Sequence, residues 1–333
     1  MAYVTVEATR GLGTELGPEL GTDSSGEFCR TVLEGLSQSR KILAARFFYD
    51  DAGSALFEQI TTLPEYYPTR IETALLTRHA EEIAALAGPG RPLVEFGAGS
   101  ATKTPLLLRA TGAKRYIPVD ISGDFLEEAM VPLRALLPHL KIEPIAGDFT
   151  QPLALPVLGE ACSGFFPGST IGNFDHRGAV DLLRAFRRML GDDATLVIGV
   201  DTRKDRATLE AAYDDAAGVT AAFNRNILVR INRELGGTIP IEDFDHRAVW
   251  NEVLGRVEMH LVARRSLTFR VAGRSFAMQA GETIHTENSH KYTPEEVRLL
   301  ARAAGWEPLG FWTDDAAMFG VHVWTATGAA MQP

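Results

Sequence analysis

The stretch VEFGAGSATKT at residues 94–104 decides the fold. A short apolar run ends at Gly97 and Gly99, and the residues that follow are typical of the start of a helix. Such a turn from a buried strand into a helix presents backbone N–H groups to a small anionic or polar ligand. Three ligands fit this description: the phosphates of ATP, a dinucleotide, and a nucleoside cofactor. A structural turn without a ligand stays open as a fourth interpretation.

The residues of the turn exclude one of these ligands and disfavour another. A phosphate-binding P-loop has a glycine directly before its lysine, but Lys103 follows Thr102. A dinucleotide fingerprint reads G-x-G-x-x-G, and Thr102 stands where the third glycine is required. The sequence therefore excludes a P-loop and disfavours an NAD-dependent oxidoreductase.

Strand and helix patterns alternate from residue 71 to residue 202, which predicts an α/β fold with a parallel doubly wound sheet. Residues 203–291 instead combine helical and antiparallel strand patterns. A helix and two strand-like stretches return within residues 292–333, as at the end of a methyltransferase sheet whose last strand inserts antiparallel. We predict a Rossmann-like domain made of residues 71–202 and 292–333, and a substrate-binding α+β domain made of residues 1–70 and 203–291.

Composition limits the class of protein. The 333 residues include 33 Lys and Arg against 43 Asp and Glu, a net charge of −10 that disfavours binding to nucleic acid. Two isolated cysteines fit a reducing compartment, and neither a signal peptide nor a membrane-spanning run is predicted. We expect a cytoplasmic protein, with residues 8–27 as a flexible arm.

Acidic residues end three successive predicted strands, at Glu95, Asp120 and Asp148. Ligands of open α/β sheets lie beyond the carboxyl ends of the strands. Asp120 can accept both ribose hydroxyls, while Asp148 and Phe149 can meet the amino group and the face of an adenine. The pattern favours an adenosyl cofactor without a pyrophosphate, namely S-adenosylmethionine.

A second substrate is expected beyond the fourth strand, at the small-residue loop GSTIGN of residues 168–173. Small side chains let a substrate approach the backbone, and the Asn173 amide can both donate and accept. An asparagine in such a loop is also common in turns without any ligand.

Several stretches together resemble the histidine Nα-methyltransferases of ergothioneine biosynthesis. They are RFFYDDAGSALFEQITTLPEYYPTR, GSTIGN, AAYDDAAGVTAAFNRN, HRAVWN, RVEMHLV and ETIHTENSHKY, and the resemblance spans residues 46–326. It implies a two-domain enzyme of the Rossmann-like class I methyltransferase fold. Such an enzyme methylates the α-amine of L-histidine three times with S-adenosylmethionine and so produces hercynine.

The resemblance also implies site residues. The cofactor contacts are expected from Tyr49, Gly97, Lys103, Asp120, Asp148 and Phe149. The substrate contacts are expected from Tyr66, Gly168, Thr170, Asn173, Tyr213, Met259, Glu287 and Ser289. Asn173 and Tyr66 are expected to position the substrate, with no strict acid or base catalyst and no metal site.

These residue types suit the reaction. Methyl transfer from a sulfonium needs a neutral amine, alignment and exclusion of water more than acid–base groups. Tyr66 and Tyr213 can donate to the substrate carboxylate. Glu287 and Ser289 lie two apart on an extended stretch, so they share a face and can reach the two nitrogens of one imidazole.

Two functions besides histidine methylation fit the sequence. One is the same chemistry on another amino acid such as tryptophan, which Glu287 together with Ser289 disfavours because an indole has a single N–H. The second is that of a non-catalytic protein that binds S-adenosylmethionine, which has no need of an amino-acid pocket. In every case we expect a small-molecule substrate or ligand and a monomer.

Overall fold

The computed structural model describes residues 24–156 and 159–327. Residues 24–27 of the predicted flexible arm begin a helix, so that part of the prediction is wrong. The rest of the predicted arm, residues 8–23, lies outside the described residues.

Helices pack against both the large and the smaller sheet of the structure. They are α1 (Ser24–Ser37), α2 (Asp51–Thr62), α3 (Tyr67–Arg78), α4 (Ala80–Ala87), α5 (Thr104–Thr111), α6 (Gly123–Leu136), α7 (His176–Leu190), α8 (Arg206–Tyr213), α9 (Val219–Leu235) and α10 (Pro294–Ala303). Short 3₁₀ helices lie at Ala45–Phe48, Thr170–Asn173 and Ile241–Asp243. The alternation of strands and helices predicted between residues 71 and 202 is confirmed.

The strands form a large sheet, a smaller sheet and a separate hairpin. They are β1 (Lys41–Ile42), β2 (Leu93–Phe96), β3 (Arg115–Asp120), β4 (Lys141–Ile142), β5 (Ile145–Ala146), β6 (Ser163–Phe166), β7 (Thr195–Asp201), β8 (Phe244–Asn251), β9 (Arg256–Ala263), β10 (Leu267–Val271), β11 (Arg274–Met278), β12 (Thr283–His290), β13 (Trp306–Thr313) and β14 (Phe319–Ala326).

The large sheet has the order β13-β14-β7-β6-β2-β3-β4, with β5 also paired to β3. Its strands from β4 to β7 are parallel, whereas β14 is antiparallel to both of its neighbours. Every residue of β2, β6 and β7 is buried, as expected where helices cover both faces of a parallel sheet. The predicted α/β Rossmann-like sheet is confirmed, including the antiparallel insertion of the last strand.

The smaller sheet has the order β1-β12-β9-β8, and β10 and β11 form the hairpin. Burial alternates along β9, as in a sheet with one covered face. Its inward side chains, such as Met259 and Leu261, join a core that also contains Tyr66 and Tyr213. The predicted antiparallel strands are confirmed, although β8 was not anticipated.

A close approach between the two sheets positions the site. The 3₁₀ turn Thr170–Asn173 follows β6 and lies against β12. A Cβ atom on Gly172 would lie 2.7 Å from the carbonyl oxygen of His290, so only glycine allows this contact. The small-residue loop therefore brings the carboxyl edge of the large sheet against the smaller sheet.

Two predicted elements are divided in the structure. The sequence ETALLTRHAEEIAALAG at residues 72–88 has the pattern of a single amphipathic helix, but these residues are divided between α3 and α4 because the backbone leaves helical geometry at His79. The expected third strand is β4 and β5, separated at Pro144, which has no N–H to donate to a sheet. The predicted boundary between residues 70 and 71 lies inside α3, and the division into two domains stays a prediction.

The capping box of α10 provides a test of local stability. The Thr293 hydroxyl accepts from the Glu296 N–H, and the Glu296 carboxylate accepts from the Thr293 N–H. We expect Thr293→Ala to lower the free energy of unfolding by about 1 kcal/mol, since an N-cap is lost. The measurement is urea unfolding, with Thr77→Ala on an exposed face of α3 as the control. Equal midpoints for the two variants would contradict the prediction.

Candidate active site

Two adjoining cavities lie at the carboxyl edge of the large sheet. The larger has a volume of about 560 Å³ and the smaller about 60 Å³. All six predicted cofactor residues line the larger cavity, and all eight predicted substrate residues line the smaller. Both cavities share a wall formed by Tyr49, Phe57, Tyr66, Gly168, Thr170 and Asn173. The structure thus brings the predicted residues together, while their individual contacts with ligands stay predictions.

The glycine turn is shaped around Asp120, the last residue of β3. Its Oδ2 accepts from the Gly99 N–H at 2.9 Å, and its Oδ1 accepts from the Ser122 N–H at 3.0 Å. Gly97 and Gly99 have φ angles of 73° and 51°, a region that favours glycine. Each carboxylate oxygen has capacity for a further hydrogen bond, so Asp120 can hold the turn and accept ribose hydroxyls.

Asp148 and Phe149 lie at another side of the larger cavity. Asp148 Oδ1 accepts from the Thr150 N–H at 2.8 Å and from its hydroxyl at 2.6 Å. Asp148 Oδ2 lies 3.5 Å from Nη1 of Arg46, a cavity residue that the sequence did not indicate. The Phe149 ring meets Phe166 edge to face, with centroids 5.6 Å apart. This geometry leaves a carboxylate oxygen and an aromatic ring for a base such as adenine.

Lys103 is held by a residue that sequence reasoning missed. Its ammonium group forms an ion pair with Glu72, whose side chain is fully buried on α3. Glu72 also accepts from the Gly168 N–H, with its two oxygens 2.9 and 3.1 Å away. One carboxylate therefore links the glycine turn to the small-residue loop, and Lys103 keeps donors for an anionic group of a cofactor.

Glu95, which was grouped with Asp120 and Asp148 as a strand-end acid, has a largely structural position. It is 1% exposed, and its Oε2 accepts from the hydroxyls of Thr104 and Tyr116. Burial raises the pKa of this carboxyl to about 7. Glu95 lines part of the larger cavity, but its contacts tie β2 to β3 and α5.

Aromatic rings enclose the smaller cavity. The Tyr66 and Tyr213 rings meet edge to face with centroids 6.2 Å apart. Burial raises the pKa of the Tyr49, Tyr66 and Tyr213 hydroxyls well above the usual value. These phenols therefore stay protonated at neutral pH and can donate hydrogen bonds.

Glu287 and Ser289 both face the smaller cavity, as the alternation along β12 predicted. A register shift between His285 and Glu287 precedes them, and Glu287 pairs directly with Met259 on β9. Burial raises the pKa of the Glu287 carboxyl to about 7, against an opposing effect of Lys291. This carboxyl can consequently exchange a proton with a bound imidazole near neutral pH.

A buried charged network behind the cavity was not predicted. The Asp201 carboxylate ends β7 and contacts the ammonium groups of Lys291 and Lys204, each at 2.7 Å. It also accepts from the Tyr67 hydroxyl at 2.8 Å. Although burial alone would raise the pKa of Asp201, the two ammonium groups hold it below the usual value. The side chains of Asp201 and Lys291 are completely buried.

A group of potential metal ligands lies outside both cavities. Ligand atoms of Glu258, His260 and His285 lie within 4.8 Å of one another. The two imidazole rings are stacked, with centroids 4.9 Å apart, and Arg256 forms an ion pair with Glu258 at 2.7 Å. Stacked rings do not direct their lone pairs to one point, and the arginine already neutralises the carboxylate. These three side chains are therefore not arranged as a metal site.

The glycine turn, the strand-end carboxylates and the antiparallel β14 define a class I methyltransferase fold with a second cavity beside its cofactor site, enclosed by aromatic rings and bounded by Glu287 and Ser289. A family model described as histidine-specific methyltransferase, SAM-dependent, matches residues 28–326. The chain belongs to this family and is an enzyme that uses S-adenosylmethionine as methyl donor.

Curated relatives agree with the family. A histidine N-alpha-methyltransferase of Mycolicibacterium smegmatis is 41% identical, with 91% of this chain and 97% of the relative covered. One from Mycobacterium tuberculosis is 38% identical, with 88% and 93% covered. A 4-dimethylallyltryptophan N-methyltransferase of Claviceps fusiformis is more distant at 25% identity, with 85% and 88% covered.

Among the described residues, none of the helices has both the length and the apolar character that a membrane span requires.

The Asp120 carboxylate allows a test of the cofactor site. We expect Asp120→Ala to weaken binding of S-adenosylhomocysteine at least about tenfold, since ribose hydroxyls lose a charged acceptor worth about 1.5–3 kcal/mol. Calorimetry measures the dissociation constant, with exposed Asp124 on α6 changed to alanine as the control. Binding of NAD but not of S-adenosylhomocysteine to the unaltered protein would refute the cofactor assignment.

Proposed function

We propose that this enzyme transfers three methyl groups from S-adenosylmethionine to the α-amine of L-histidine and so forms hercynine for ergothioneine biosynthesis. The carrying observation is the small cavity that begins at the wall shared with the cofactor cavity and ends at Glu287 and Ser289. Membership of the histidine-specific family and the two mycobacterial relatives support the same conclusion.

The shared wall suits an in-line displacement. The amine lone pair forms a bond to the methyl carbon while the carbon–sulfur bond breaks and its electron pair stays on sulfur. Tyr66 and Asn173 line both cavities, so they are placed to hold the amine facing the cofactor. Enclosure by aromatic rings excludes water and keeps the reacting atoms aligned. The α-amine is an ammonium group at neutral pH, so one proton must leave the nitrogen for solvent before each of the three transfers.

The far end of the small cavity suits an imidazole. Glu287 and Ser289 offer two polar contacts on one side of β12, and Met259 packs beside them. An indole has a single N–H, so tryptophan would leave one of these buried groups unpaired, which costs binding energy. The lower identity to the tryptophan-type relative accords with this preference for histidine.

A non-catalytic cofactor-binding protein and an oxidoreductase both have less support. A non-catalytic protein does not need a second cavity that adjoins the cofactor site and carries polar groups such as Glu287 and Ser289. Against an oxidoreductase, Thr102 stands in place of the third glycine of a dinucleotide fingerprint.

We also propose how the chain is divided into domains, and in which compartment and oligomeric state it acts. Residues 71–202 and 292–333 would form the cofactor domain, and residues 1–70 and 203–291 the substrate domain. The separate small sheet and its own apolar core support this division. We also propose a cytoplasmic monomer without a nucleic-acid or membrane partner, and the free, buried Cys29 and Cys162 suit a reducing compartment.

The number of methyl groups provides one test. With excess S-adenosylmethionine, we expect trimethylated histidine to accumulate, because the amine can rotate beside the shared wall after each transfer. Mass spectrometry of a time course measures each methylated species, with the nineteen other common amino acids as parallel controls. A final product that remains monomethylated would contradict the assignment of Asn173 and Tyr66.

Glu287 provides a test of specificity. We expect Glu287→Ala to lower kcat/KM for histidine at least about tenfold, equivalent to about 1.4 kcal/mol. The ratio of kcat/KM for histidine to that for tryptophan should also fall, since a buried carboxylate no longer opposes an apolar ring. Glu252→Ala, at an exposed position directly after β8, is the control. An unchanged ratio would show that Glu287 does not distinguish the imidazole side chain of the substrate from an indole.

A further inference from the structure

Lys291 is a buried lysine placed directly behind the substrate cavity. Its ammonium nitrogen lies 2.7 Å from Asp201 Oδ2, 2.8 Å from the Tyr213 hydroxyl and 2.8 Å from the Ser289 hydroxyl. An ammonium group has three N–H donors and no acceptor. Each donor therefore has a partner, and both hydroxyls must receive a hydrogen from Lys291.

The two hydroxyls also bond to each other. The oxygens of Tyr213 and Ser289 are 2.7 Å apart, and either can be the donor. Together they carry two hydrogens, of which one lies between them, and neither can point at the lysine. The pair consequently has one free hydrogen and, on the other hydroxyl, one free lone pair.

We propose that Lys291 is a positioning residue that makes Tyr213 the donor to the substrate carboxylate and Ser289 an acceptor for an imidazole N–H. A carboxylate can only accept, so it needs the single free hydrogen, and Tyr213 then carries it. Ser289 must in turn donate to Tyr213, and its remaining lone pair requires an N–H. This inference rests on the proposed function, because it takes histidine as the substrate.

The direction of these hydrogen bonds fixes the proton count of the bound state. A neutral imidazole has one N–H and one lone pair, whereas Ser289 and an ionised Glu287 would both accept. The bound state therefore contains one extra proton, shared between Glu287 and the ring. A substrate analogue with a thiazole in place of the imidazole has no ring N–H. It therefore could not donate a hydrogen bond to the free lone pair of Ser289.

Lys291 is suited to a test by substitution. It is not among the residues that line either cavity within the described ranges. Without it, Asp201 keeps the Lys204 ammonium group and the Tyr67 hydroxyl as donors. Lys204 is a matched control, because it shares the same carboxylate but contacts Tyr67 instead of Tyr213 and Ser289.

The first experiment compares Lys291→Met with Lys204→Met at saturating S-adenosylmethionine. We expect Lys291→Met to raise KM for histidine at least about tenfold, and Lys204→Met less than about threefold, with affinity for S-adenosylhomocysteine retained in both. Equal effects of the two variants on KM would mean that Lys291 only neutralises Asp201, and would overturn the proposal.

A double-mutant cycle tests whether Lys291 acts through the hydroxyls. We expect Lys291→Met to change KM less than about threefold when Tyr213→Phe and Ser289→Ala are already present, since coupled groups are not additive. An undiminished effect in that background would contradict the proposal.

A measurement on the unaltered protein remains informative even if Lys291→Met does not fold. Its probe is Nα-trimethylhistidine with S-adenosylhomocysteine bound, because this ligand has no α-amine proton and its carboxyl group is fully ionised near neutral pH, which leaves the ring as its one titratable group there. Affinity should fall as pH rises from about 7 to about 8.5 if the extra proton is required, since burial places the Glu287 pKa near the start of this range. Affinity that is constant or rises over this range would mean that Ser289 donates, and would overturn the assignment.

The remaining charged and titratable groups around Glu287 do not obscure this trend. The tyrosines at 49, 66 and 213 have pKa values raised by burial. Burial lowers the pKa of His285, so that ring is already neutral at pH 7, and Lys291 is ion-paired with Asp201.

Absence of histidine methylation by the unaltered enzyme would refute the proposed function itself. If the unaltered enzyme methylates histidine normally but Lys291→Met has the same effect on KM with and without Tyr213→Phe and Ser289→Ala, only the inference about Lys291 is refuted.

Discussion

The buried carboxylate of Asp201 is the point on which both parts of the structure depend. It ends strand β7, and its partners come from α3, from the segment after β7 and from the residue that follows β12. Because an isolated buried charge is costly, the carboxylate must keep a positively charged partner. The large sheet, the smaller sheet and the substrate cavity are thereby fixed relative to one another.

A second buried carboxylate has the same role on the cofactor side. Glu72 contacts Lys103 of the glycine turn and the backbone of Gly168 in the substrate loop. A Cβ on Gly199 would lie 1.9 Å from a Glu72 oxygen, so any larger residue at that position of β7 would displace the Glu72 carboxylate. Both ligand cavities are consequently organised by acids on rigid elements and not by the loops alone.

Local patterns explain which features the sequence could predict. The glycine turn and Asp120 are recognisable in the sequence because strand ends and helix starts have short-range signals. Parallel topology then places both of them at the carboxyl edge of the sheet, where ligands bind. The resemblance supplied Glu287 and Ser289. Lys291 was missed because lysine is almost never fully buried, and no spacing rule relates it to Asp201. The break at His79 has neither glycine nor proline to mark it.

The antiparallel position of β14 has a consequence for biosynthesis. Phe319 pairs with Asp201 and Thr325 with Thr195, so β14, the last strand of the described residues, lies between β7 and the edge strand β13. While a ribosome is still adding residues up to about this point, β7 has an unpaired edge. Such long-range pairing is slow to form, and an open strand edge invites association with other chains. The edge of β7 that pairs with β14 is therefore open in the nascent chain until β14 has been synthesised.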